Sequence, residues 1–239
     1  MIEKEEGEVI NDDNKKKESV EKNIYDLQKR VPISKWQCRQ VDMYEDKVQV
    51  GEGTFGKVFK ARYKHYENQD DPLSKHEYVA LKMVRLDNEK EGFPITAIRE
   101  IMILKQIQHK NIINLLDIIT SKPTENNKNR GNTYLVFEYM EHDLNGLLDR
   151  KLSFEIPQIK CILYQVLCGI QYLHTNNIMH RDIKGANILL NNKGEVKIGD
   201  FGLARIFNSN LRSSYTNRVV TLWYRSPELL LGTNKFLMI

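Results

Sequence analysis

Polar and apolar positions divide the 239-residue chain unevenly. Through residue 35 apolar side chains are few and follow no period, while eight Lys/Arg and nine Asp/Glu crowd the segment. This predicts a polar tail, disordered or weakly helical, because so little apolar surface cannot offset the entropy of ordering. From Trp36 the character changes. Residues 58–63 and 78–86 are short, apolar and β-branched, and predict strands. Residues 65–76 between them are polar and contain Asp70-Asp71-Pro72, which predicts a loop. Pro94 suits a first helical turn, and Ile98, Ile101, Met102 and Ile103 give the helix after it one apolar side. A second polar loop is expected over 121–133, followed by a strand over 133–140. Ile159, Ile162, Leu163, Val166, Leu167, Ile170 and Leu173 recur with helical spacing and predict an amphipathic helix. Residues 188–190 and 196–198 flank a turn at Asn192-Lys193-Gly194 and predict a hairpin. Both polar loops read as surface insertions. Strands come first and helices later, which predicts an α+β fold with a sheet-rich small half and a helical larger half.

Composition narrows the class. Hydrophobic residues make up 41% and charged residues 28%, and no run nears the roughly 18 apolar residues of a membrane span. No membrane association is expected. The opening Met-Ile-Glu-Lys-Glu-Glu lacks the apolar stretch of a secretory leader. Cys38, Cys161 and Cys168 are odd in number and share no metal-ligand spacing, which fits a reducing compartment. A net charge of +4 is too mild to argue for direct nucleic-acid binding.

Four stretches carry chemistry. Gly51-Glu52-Gly53-Thr54-Phe55-Gly56-Lys57-Val58 is a G-x-G-x-x-G-x-V pattern. A dinucleotide-binding turn would lead into a helix, but Val58-Phe59-Lys60-Ala61 continues as a strand. A glycine loop between two strands, closing over phosphates, fits that context; so does a plain hairpin turn. Val79-Ala80-Leu81-Lys82 places a lysine inside an apolar strand, costly unless a carboxylate pairs with it, and Glu100 on the next helix is the candidate. His180-Arg181-Asp182-Ile183-Lys184-Gly185-Ala186-Asn187 fits H-R-D-x-x-x-x-N, with Asp200-Phe201-Gly202 downstream. Ser226-Pro227-Glu228 follows. Alone, each has an ordinary structural explanation; in this order and spacing, together they point to phosphoryl transfer.

These residues resemble the eukaryotic protein kinases. Pro94-Ile95-Thr96-Ala97-Ile98-Arg99-Glu100 resembles the cyclin-binding helix of cyclin-dependent kinases. Residues 84–93, 136–144 and 215–225 resemble the transcriptional branch of that family, in particular kinases twelve and thirteen and the fungal CTD kinase catalytic subunit. The resemblance implies a two-lobe kinase-like fold: small lobe and hinge over 36–141, then part of a helical large lobe over 142–239, with 1–35 as a tail. It implies ATP and Mg²⁺ as cofactors. Asp182 is then the base, Lys184 neutralises the transferred phosphoryl group, and Lys82 holds the phosphates with Glu100 as its partner; Thr221 belongs with this catalytic group. Asn187 and Asp200 hold the metal. Gly51, Glu52, Gly53, Thr54, Phe55, Gly56, Val58, Ala80, Lys82, Phe137, Glu138, Tyr139, Met140 and Leu189 surround the nucleotide, with Phe137 as gatekeeper and 138–140 as hinge. Thr216 matches the activating phosphothreonine, and Arg99, Arg181 and Arg205 its three arginines. Val219, Val220 and Arg225 shape a pocket for proline after the target residue.

The expected partners are a cyclin, of the cyclin K type or another transcriptional cyclin, and the C-terminal domain of RNA polymerase II as substrate, in the nucleus. The resemblance covers roughly 36–232, residues 233–239 drift from it, and the sequence stops at Ile239, soon after Glu228, whereas the family's helical half normally continues. The expectation is therefore an incomplete large lobe, and the alternative to an active kinase is a weak fragment that binds a cyclin.

Overall fold

The computed structural model describes residues 38–53, 56–67, 71–85, 93–124, 131–207 and 220–232. The tail over 1–35, Thr54, Phe55, Thr216, Val219 and residues 233–239 lie outside the described residues. The chain divides into two units, Met1–Cys38 and Arg39–Ile239, and the described strands and helices belong to the second.

The first half of this unit is an antiparallel sheet of β1 (Tyr44–Gly53), β2 (Gly56–Tyr63), β3 (Tyr78–Met83), β4 (Leu115–Thr120) and β5 (Thr133–Glu138), in the order β1-β2-β3-β5-β4. Side chains on a strand alternate between faces, and the sequence exploits this. Val79 and Leu81 of β3, with Val136 of β5, bury themselves on one face with Tyr44, Ala61, Tyr63 and Ile119. Leu135 and Phe137 of β5 point the other way, into a second cluster with Ile103 and Leu104. These two come from helix α1 (Ile95–Gln106), which follows β3. Pro94 stands as its N-cap, one position ahead of the helix interior. Of the apolar residues expected to form one side, Ile103 is buried and Ile101 packs on the cluster, but Ile98 and Met102 are exposed.

The stretch between β2 and β3 is more than a surface loop. Pro72–Lys75 forms a 3₁₀ turn capped by Asp71, whose side chain accepts from the Leu73 amide. Leu73 is buried with Tyr63 and Val79, and Asp71 accepts from the Tyr63 hydroxyl at 2.6 Å. Burial, then this hydrogen bond, pushes the Tyr63 hydroxyl up to about 12. Polar composition hid one anchoring leucine.

The second half holds β6 (His142–Asp143), α2 (Leu144–Asp149), α3 (Ile156–Thr175), β7 (Ile178–Met179), β8 (Ile188–Leu190), β9 (Val196–Ile198), β10 (Arg205–Ile206) and the short α4 (Pro227–Leu230). The expected hairpin is β8–β9. A capping box between Glu155 and Gln158 starts α3. On α3, Leu173 is buried and Ile162, Val166 and Ile170 pack on the core, while Ile159, Leu163 and Leu167 are exposed. Gly169 lets the helix approach closely: a Cβ there would lie 2.9 Å from both the Asn111 carbonyl oxygen and Ile198 Cδ1.

The halves share one buried core, and among the described residues two backbone connections join them. One is the segment after β5. The other runs through residues 111–113: Ile198 N donates to Asn111 O, Ile113 N donates to Ile198 O, and Asn111 Nδ2 donates to Val196 O.

Candidate active site

Between the halves lies a cleft of about 620 Å³. Gly51, Glu52, Gly56, Val58, Ala80, Lys82, Phe137, Glu138, Tyr139, Met140 and Leu189, all read from the sequence, line it, and so do Glu100, Lys184, Asn187 and Asp200. Val50, Ile113, Glu141, His142, Asp143, Ala186 and Gly199 line it too and were missed. Their only signal was adjacency to a motif or a strand end.

The glycine pattern forms the tip of the β1–β2 hairpin, with Gly53 opposite Gly56. Gly56 is required by geometry. Its φ is +139°, and a Cβ would sit 1.9 Å from the Met83 carbonyl oxygen. The constraint at this position is thus the neighbouring strand, rather than room for a phosphate.

Lys82 reaches Glu100 Oε1 at 2.8 Å and Asp200 Oδ1 at 3.0 Å. The strand alternation aims Lys82 toward α1, where Glu100 is only 4% exposed. Burial would strip Lys82 of its proton, but the two carboxylates outweigh it and hold the ammonium above its ordinary range. Burial likewise opposes charge on Asp200, and Lys82 more than compensates, leaving that carboxyl below its usual value. Asp200 itself sits at φ +57°, an uncommon backbone state for a non-glycine residue.

Asp182 does not itself line the cleft: it is 3% exposed and heavily bonded, behind Lys184 and Asn187, which do. Lys184 Nζ lies 2.8 Å from Oδ2, and Asn187 Nδ2 donates to Oδ2 at 3.0 Å and to the Asp182 carbonyl at 2.7 Å. Thr221 Oγ1 and N approach Oδ1 at 3.2 and 3.3 Å, and Lys184 Nζ donates to Thr221 Oγ1 at 3.1 Å. His180 supports the loop from beneath. Its Nε2 meets Gly199 O at 2.9 Å and its ring packs edge-on against Phe201. Burial keeps that imidazole below its ordinary value, hence neutral. A carboxylate so held, opposite a buried lysine, can orient a hydroxyl and receive its proton.

The predicted arginines are partly assembled. Arg205 lies near Arg99; burial and then this like charge lower its affinity for its proton. Arg181, at φ +66°, donates through Nε to Leu203 O. Val220 is also at positive φ, +64°, and its carbonyl accepts from Arg225 Nε at 3.0 Å.

Sequence reading also missed the partners of Glu138. Its Oε1 lies 2.9 Å from Lys197 Nζ of β9 and accepts the Asn114 amide at 2.9 Å. Nothing in a Val-Lys-Ile strand distinguishes this lysine from a solvated one.

A glycine-tipped hairpin and a lysine braced by two carboxylates around one cleft, with a caged aspartate just behind it, define a phosphotransferase of the kinase type. The chain belongs to the protein kinase family: the protein kinase domain matches residues 44–237. Its relatives are cyclin-dependent kinases, as the motifs indicated. Cyclin-dependent kinase C-2 of Oryza sativa subsp. japonica is 51% identical over 211 residues, covering 84% of this chain and 39% of the relative. Cyclin-dependent kinase 12 of Drosophila melanogaster is 51% identical over 208 residues, 85% of this chain and 17% of the relative. Human cyclin-dependent kinase 9 is 48% identical over 203 residues, 83% and 52%. The chain thus spans about half or less of the length of these relatives. The α+β architecture is that of the two-lobe kinase fold, with part of the helical lobe present.

Proposed function

We propose that this chain is the catalytic region of a cyclin-dependent serine/threonine kinase. It transfers the γ-phosphate of ATP to Ser/Thr-Pro sites, with the C-terminal domain of RNA polymerase II as substrate and the nucleus as its place of action. The observation that carries the reading is the buried Asp182 carboxylate, held by Thr221 and by Lys184 and Asn187, two residues that line the same cleft as the Lys82–Glu100–Asp200 set. In this reading residues 36–141 form the small lobe and hinge, and 142–239 belong to the large lobe.

The residues present suit the nucleotide and its metal. Val58, Ala80 and Leu189 give apolar contact for a base, and the 138–140 backbone gives polar contact. Lys82 meets the phosphates. Asn187 commits its side-chain N–H to Asp182, which leaves an amide oxygen for a cation, and Asp200 adds a carboxylate on the same cleft. Oxygen donors are what Mg²⁺ prefers, and the bound ion would offset phosphate charge. Asp182 orients the substrate hydroxyl and takes its proton, while Lys184 stabilises the phosphoryl group in transfer.

Preference for proline follows from Val220. Its carbonyl is already bonded to Arg225, so the residue after the target finds no acceptor there, and proline has no N–H to satisfy. A cyclin of the transcriptional type docks on α1, whose Ile95, Ile98 and Met102 are exposed apolar side chains. Phosphate on Thr216 would engage Arg99, Arg181 and Arg205 and order its segment.

The test is phosphorylation of Ser-Pro and Ser-Ala repeat peptides by the chain with a transcriptional cyclin. Transfer to the Ser-Pro peptide is expected, reduced about 10²–10⁴-fold by Asp182→Asn with Mg-nucleotide binding retained. Equal turnover by wild type and Asp182→Asn would refute the assignment.

A further inference from the structure

Lys60 lies two residues along β2 from Val58, a cleft-lining side chain, and opposite Ala80, which lines the cleft as well. Alternation therefore puts Lys60 on the cleft face of the sheet, one rung outward from the base pocket. Tyr78 precedes Ala80 by two residues and shares that face. Tyr139 follows the end of β5 and itself lines the cleft. The three meet. Lys60 Nζ lies 4.2 Å from the ring centroid of Tyr78 and 4.8 Å from that of Tyr139. An ammonium within about 6 Å of a ring centroid is drawn to the ring's negative face. One cation therefore joins rings from β3 and from the connection between the halves.

We propose that Lys60 is a positioning residue for the nucleotide: by holding Tyr139 it pins the 138–140 backbone against which the base lies. The inference rests on the nucleotide-cleft reading above. Glu138 is already fixed through Lys197 and the Asn114 amide, so its neighbour Tyr139 is the hinge residue whose side chain depends on Lys60. Restraining both leaves the pocket wall formed before nucleotide arrives, which lowers the ordering cost of binding.

The experiment compares wild type, Lys60→Met and Lys60→Arg in the full 239-residue chain. Methionine keeps an apolar stem and removes the charge; arginine keeps a cation that stacks on aromatic faces. Two quantities are read: amide hydrogen exchange over residues 137–141 without nucleotide, and the dissociation constant of Mg-ADP. Lys60→Met is expected to speed exchange in the hinge and weaken Mg-ADP about two- to fivefold, with the melting temperature unchanged. Lys60→Arg is expected to restore both. Unchanged hinge exchange in Lys60→Met, or an arginine variant that behaves as the methionine one, overturns the proposal. Failure of the wild-type chain to bind Mg-ADP would overturn the nucleotide reading instead, and the exchange comparison would still decide whether Lys60 holds the hinge.

Discussion

Removing Lys82 should destabilise the fold by more than removing Lys82 together with Glu100. In Lys82→Met, Glu100 remains 4% exposed beside Asp200 with no ammonium between them. Deleting one member of a buried ion pair costs about 3–5 kcal/mol, because the other charge is left uncompensated. Asp200 retains 27% side-chain exposure, which favours the lower end, about 3 kcal/mol. For a domain of this size that corresponds to a fall in Tm of about 6–12 °C. Lys82→Met/Glu100→Met replaces the pair with apolar side chains, a change that is often close to neutral. The double variant should therefore melt above the single one. The pH dependence gives an independent check. Burial already holds the Glu100 carboxyl above its ordinary range, and without Lys82 nothing opposes that. The folded state of Lys82→Met then takes up a proton more readily than the unfolded chain, so its deficit should shrink as pH falls toward 5. Melts of the three proteins by circular dichroism at several pH values test both points. A double variant no more stable than Lys82→Met, or a deficit independent of pH, would refute the reasoning.

Gly56→Ala should lose at least about 1–3 kcal/mol, since alanine is strained at φ +139° and its Cβ would meet the Met83 carbonyl; a Gly51→Ala control, with nothing within 4 Å of its Cβ, should be far milder in the same melt. Lowering pH from 7.5 to 5.5 should reduce wild-type Tm. His76, His109 and His180 are all held below 6.5, mainly by burial, so the unfolded chain gains protons first as pH falls through that value. A flat or rising Tm across that window would contradict this.

The parts of the molecule legible in its sequence are those where one residue type has one physical use. Asp182, Asn187 and Asp200 stand out because oxygen ligands and a base at fixed spacing serve few purposes besides phosphate chemistry. Lys82 stands out because an ammonium in an apolar strand demands a partner. β2, β3, β5 and α3 are legible because their periodicity is strong. β1 is legible only as the strand that a glycine loop needs before it, because Tyr-Glu-Asp-Lys-Val-Gln-Val is polar; it forms a strand because Tyr44 packs on Tyr63 and the ladder to β2 satisfies its backbone. The Leu73 anchor, Lys197 and Lys60 are illegible for a related reason. Each takes its role from a neighbour distant in sequence, and local pattern carries no information about that neighbour.

The paired hydrogen bonds between residues 111–113 and Ile198 have a kinematic consequence. The halves of this chain are fastened after β5 and at Ile198, and again by the Lys82–Asp200 and Glu138–Lys197 ion pairs and the core they share. Widening the cleft has to part Lys82 from Asp200, whereas the bonds at Ile198 and the core behind them hold its rear together.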